Sequence, residues 1–159
     1  MDKEAAYFFR YAFPCSGELA KLRRITQEEY EHLESEFKRG IAPSRKLLED
    51  SFTKAFERID RLAESMGKSR WDLDVLVKYW REDHNRIIDA GEGIYGKGLL
   101  DFNDRCKVHV AKVEKIEDPF LRVSYSGDKS RNVFYTLIPE VKIGDKVTIH
   151  HFEAVEIIN

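Results

Sequence analysis

The side chains in this chain with the most chemistry to offer are its five histidines and two cysteines. Two of the histidines, His150 and His151, are adjacent in VTIHHFEAVEII near the carboxy end. Neighbouring side chains on a β-strand point to opposite faces, so one imidazole looks into a core and the other away from it. Val147 and Ile149 set the inward parity, and His151 shares it. By that count His150 faces outward beside Thr148 and Phe152, unless a bulge resets the register. An outward imidazole next to an exposed aromatic can bind a ligand or a partner, whereas an inward one packs or hydrogen-bonds.

The remaining candidates carry weaker chemistry. Glu29-x-x-His32 has the spacing used by carboxylate-bridged di-iron bundles, but such sites need a second copy of the motif and further inward glutamates. Glu29, His32 and Glu36 share a side distinct from Tyr30, Leu33 and Phe37, which suits a solvated face. His84 lies one turn after Trp80 on an apolar stripe, where a buried imidazole held by one hydrogen bond is expected. Cys15 follows Pro14 near a helix start, where a positive helix end stabilises a thiolate; as a small residue it also serves as buried filler. Gly91, Gly93 and Gly96 spell G-x-G-x-x-G, and Gly98 follows. A dinucleotide-binding fingerprint needs that string between a strand and a helix; here it follows a helix and precedes a strand-rich segment, so it reads as a linker.

These residues sit on two kinds of pattern. From residue 1 to about 90 the apolar residues recur at helical spacing, and from about 105 onward they alternate at strand spacing. The expected fold is therefore α+β in two domains: an all-α helical bundle over residues 1–90, a glycine-rich linker over 91–104, and a small five-stranded β-barrel of the OB or SH3-like kind over 105–159.

In the first part DKEAAYFFRYAF is interrupted at Pro14 and restarts with Ser16 as a cap. Thr26 and Glu29 have capping-box spacing before a helix that stops at Gly40. One long helix is expected from Ser44 to Gly67, with Leu48, Phe52, Phe56, Ile59, Leu62 and Met66 along its stripe. The fourth helix is capped by Ser69 and Asp72 and buries Leu73, Leu76, Val77, Trp80, His84 and Ile87. In the last part, CKVHVAKVEKI, FLRVSY, NVFYTLI, DKVTIHHF and AVEII read as strands.

Composition narrows the functions these elements can serve. The chain has 159 residues, of which 42% are hydrophobic, enough for a core. Its 27 basic and 29 acidic residues leave a net charge of -2, so no long-range field draws it to nucleic acid, which is a disfavoured partner. The two cysteines lie far apart, the start MDKEAAYFFRYAF does not look like a secretory signal, and no apolar run has the ~20 residues of a membrane span; a cytoplasmic, soluble protein is expected. No nucleophile-base pair, phosphate loop or complete metal set is present in the pattern, which favours an accessory or interaction protein over an enzyme.

About 53 residues, from Cys106 to Ile158, resemble the small chaperone family of hydrogenase maturation, the HypC/HupF type. The resemblance lies in CKVHVAKVEKIE followed by YTLIPEVKIGDKVTIHHFEAVEII, in which Cys106 falls on the family's cysteine, His150 on its histidine, and Pro139, Gly144, Asp145 and Val147 on its turn and strand. It implies a five-stranded barrel whose thiolate and imidazole hold an iron fragment while delivering it to a client protein. Cys106 and His150 are then the metal ligands, a pair suited to iron. Phe152, the exposed aromatic beside His150, is separately read as the partner-binding residue. The alternative is an adaptor barrel that binds protein or nucleic acid through its surface loops, with Cys106 buried at a strand start and no metal role.

Overall fold

A computed structural model describes residues 1–97 and 100–159, so Gly98 of the expected linker lies outside the described residues. The chain forms two compact units, Met1–Asp83 and His84–Asn159.

The first unit is helical. α1 (Lys3–Ala12) starts where the Asp2 carboxylate accepts from the Ala5 amide at 3.0 Å. Pro14 sits in a 3-10 turn, Phe13–Cys15, ahead of α2 (Ser16–Lys21). Ser16 does not cap that helix: it is buried and its hydroxyl donates to the Phe13 carbonyl at 2.6 Å. α3 (Gln27–Lys38) has the full capping box, with Glu29 N donating to Thr26 Oγ1 at 3.1 Å and Thr26 N to Glu29 Oε2 at 2.6 Å. Gly40 follows α3 at φ +67°, a left-handed conformation that glycine adopts without a steric penalty.

The single long helix expected next is broken into α4 (Arg45–Ser51) and α5 (Thr53–Met66), because Phe52 leaves helical geometry at φ -115° and ψ 45°. Gly67 closes α5 at φ +65°. α6 (Leu73–Lys78) runs into a π-helical stretch, Tyr79–Asp83. A wider turn changes the phase of the pattern, so a stripe counted back through it from Ile87 and His84 at helical spacing lands on Val77 and Leu73. Leu76 and Trp80 are buried as expected, but Val75 and Tyr79 are buried beside them, and Leu73 is 46% exposed. Phe8 centres this core, with ring centroids 5.6 Å from Phe52, 4.6 Å from Phe56, 6.0 Å from Trp71 and 5.7 Å from Trp80.

The second unit opens with α7 (His84–Asp89), a 3-10 turn at Gly93–Gly96 and α8 (Leu100–Cys106). Five strands follow: β1 (Val108–Glu117), β2 (Phe120–Tyr125), β3 (Lys129–Phe134), β4 (Lys146–His150) and β5 (Glu153–Ile157). They close a barrel in the order β1-β2-β3-β5-β4, antiparallel except for β3 with β5. This is the five-stranded barrel expected, in the strand order of the OB kind. The third strand begins earlier than NVFYTLI suggested and ends at Phe134, after which Ile138 and Val141 return to the core. Alternate residues fill the interior, among them Ala111, Val113, Leu121, Val123, Val133, Val147, Ile149 and Ala154. Among the described residues, no helix is long and apolar enough to cross a membrane.

Candidate functional site at the end of the barrel

Cys106 is the last residue of α8 and not the first of a strand, which begins at Val108. Val108 pairs with His150, so the helix end and the last residue of β4 lie at the same end of the barrel. His84, on α7, joins them: its Nε2-H donates to the Cys106 carbonyl at 2.8 Å, and its ring stands edge-on to that of His150 with centroids 5.3 Å apart. Asn85 fixes α7 to the same place by pairing with Val108 like a neighbouring strand, its Nδ2 donating to the Val108 carbonyl at 2.7 Å and its Oδ1 accepting from the Val108 amide at 2.8 Å.

His150 is not outward in the sense of exposed. It is fully buried, as is Thr148 on the same side, and Cys106 is only 3% exposed. The parity was sound for Val147 and Ile149, which belong to the barrel core. What it missed is that the other side of β4 is also covered, His84 lying against His150. A bulge between Thr148 and Ile149 in the pairing with β5 adds to this, leaving Ala154 and Val155 both buried. His151 is buried too, but in the β4–β5 turn at φ +52°, with its amide donating to the Arg105 carbonyl at 3.0 Å and its ring 5.0 Å from that of His150. Phe152 is the exposed member of the group, at 49%, with the Arg105 guanidinium 5.9 Å from its ring centre.

A second cluster holds α8 in place. The Asp104 carboxylate accepts from Tyr125 Oη at 3.1 Å, Lys129 Nζ at 3.1 Å and Arg131 Nη2 at 3.2 Å. His109 Nε2-H donates to the Asp104 carbonyl at 3.0 Å and lies 3.2 Å from its carboxylate. Arg131 is buried and also donates to the His151 carbonyl at 2.8 Å and to Tyr125 Oη at 2.9 Å. Sequence reasoning passed over Asp104 because it stood in the supposed linker. Arg131 did leave a signal: it shares the inward parity of Val133 in KSRNVF, where a charge needs a partner.

Burial governs the titrations here. It pushes the His151 imidazole down to about 2, with His150 and Arg105 adding to the effect, so this ring is neutral at any ordinary pH. It also lowers His109, despite the neighbouring Asp104. Burial raises Asp104, but the Lys129 ammonium and its other partners outweigh that and hold the carboxyl below the usual range. Glu153, paired with His150 across β4 and β5, is pushed up to about 7 by burial.

The other sequence candidates belong to the helical unit. Glu29 is occupied in the capping box and His32 is exposed on α3. Cys15 is half-buried, its thiol donating to the Ala12 carbonyl at 3.1 Å. The site thus gathers three imidazoles, borderline donors, against the backbone of Cys106, and encloses them. Among the described residues, no three or more His, Cys, Asp or Glu side chains are arranged to hold a metal ion. No protein-family model matches the chain, and no curated protein matches it.

Proposed function

We propose that the protein is an accessory protein that works by engaging a protein partner through this end of the barrel, as a chaperone-like carrier in metallocentre assembly of the hydrogenase type. The observation that carries this reading is that His84 touches both the Cys106 carbonyl and the His150 ring, two residues that stand 44 positions apart in the chain and come from a helix end and a strand end. A thiolate and an imidazole suit an iron fragment as cargo, and two protein ligands leave coordination positions for the partner that receives it. Exposed Phe152 with Arg105 beside it is the contact point for that partner. Both cysteines are thiols, as a cytoplasmic protein requires.

The burial of both ligands favours a second reading, an adaptor barrel with no metal role, in which Cys106 and His150 serve packing alone. Anaerobic ferrous-ion titration of the purified chain separates the two. The carrier reading expects binding that Cys106→Ser and His150→Ala each weaken by about tenfold or more, second-sphere losses setting the lower end of that scale. It also expects a hydrogenase precursor or its maturation proteins among the partners recovered from the native cell. Iron binding unaffected by either substitution removes the carrier reading and leaves the adaptor.

A further inference from the structure

We propose that α8 is a strap over the barrel end, latched by Asp104, and that release of the latch is what opens the Cys106 thiol to solvent and partner; this rests on reading that end as the working site. The closed form demands some such step, since that side chain is not reachable as it stands.

The argument begins with how little holds α8 down. A helix of seven residues has no stability of its own in water. Cys106 is its one buried residue, while Leu100 is 88% exposed. Phe102 and Asn103 tie it to the preceding turn, through ring contact with Tyr95 and a 3.0 Å bond from Asn103 Nδ2 to the Tyr95 carbonyl. With a single buried side chain, the strap relies largely on polar contacts to the strands, and segments attached in that way open more readily than those that bury much apolar surface.

Among those contacts Asp104 is the one that spans the barrel. Its carboxylate reaches β2 through Tyr125 and β3 through Lys129 and Arg131, and its carbonyl reaches β1 through His109. It is also the carboxylate paired with buried Arg131, so the latch is charge-assisted and costly to lose. Two further bonds, from His151 N to the Arg105 carbonyl and from His84 to the Cys106 carbonyl, run to the backbone of the strap and part when it lifts. Val108 stays paired with His150, which puts the hinge at Lys107, next to Cys106.

The test reads the thiol directly in the full chain. With Cys15 replaced by serine, Cys106 is the only cysteine, and its rate of reaction with a disulfide reagent reports opening. Two results are expected. In the otherwise native chain that rate is insensitive to low urea, as local opening requires. Asp104→Asn raises it about tenfold or more while the amides of Leu121, Val123 and Val133 keep their hydrogen-exchange protection. A native rate that climbs with urea in step with exchange of those core amides overturns the latch, and does so even if the substituted chain fails to fold. An unchanged rate in folded Asp104→Asn overturns it as well. The carrier reading fails separately: an opened Asp104→Asn chain that binds ferrous ion no better than its Cys106→Ser counterpart removes the cargo and leaves the strap.

Discussion

Acid should weaken the barrel through His151, and by an amount the structure sets. The folded chain holds this imidazole at about 2 against an ordinary 6.5, because burial disfavours its charged form. An unfolded chain takes up the proton that the folded one refuses, so the stability tied to neutral His151 is whole above 6.5 and is lost as the pH falls toward about 2. Each pH unit in that window costs about 1.4 kcal/mol, hence about 2 kcal/mol at pH 5. Glu153 works against this: its carboxyl is raised from 4.5 to about 7, so its contribution is whole below 4.5 and is lost as the pH rises through about 7. The raw profile mixes the two slopes, and a difference between proteins is needed. His151→Asn removes the titration and keeps a residue that tolerates the left-handed φ of +52°. Both tryptophans, Trp71 and Trp80, belong to the helical unit, so their fluorescence does not report the barrel; exchange of the core amides of β2 and β3 does. Whatever the variant costs at pH 7.5, the gap between it and the native protein should move by about 2 kcal/mol in the variant's favour at pH 5. His109 and Glu153 are common to both chains and cancel. A gap of the same size at both pH values would refute the claim that His151 is held neutral by burial.

Glu153→Gln should show the opposite sign, stabilising the barrel by about 3 kcal/mol at pH 8 and by less than about 1 kcal/mol at pH 5, read from the same amides; equal effects at both would mean the carboxylate is not strained by burial. Thr26→Ala removes the acceptor of the α3 capping box and should cost the helical unit about 1 kcal/mol, seen as a lower urea midpoint by tryptophan fluorescence at unchanged slope. No movement of that midpoint would show that α3 is held by packing alone.

How much of this was legible in the chain depends on whether the cause is local. Capping and turn chemistry is local, and Thr26 with Glu29, Gly40 and Gly67 all act where the sequence put them. Strand alternation is nearly so, because one buried face is enough to write it, and Val147 and Ile149 do point into the barrel. The π-helical stretch at Tyr79–Asp83 is local but leaves no mark in composition, so the pattern drifted out of phase there and chose Leu73 over Val75.

The barrel end was illegible for a different reason. Parity says which side of a strand a side chain takes; it does not say what lies on that side. For His150 the answer is His84, and the contact that decides its burial joins residues 66 positions apart in the chain. The same holds for Asp104, whose partners His109, Tyr125, Lys129 and Arg131 come from three strands. Each of those residues alone reads as an ordinary polar side chain, and only Arg131, charged at an inward position, asked for a partner in advance. Cys106 and His150 could be picked out because their types carry chemistry wherever they sit. Whether they are reachable is a property of α8 and α7, and it is there that substitution will change what this end of the barrel can do.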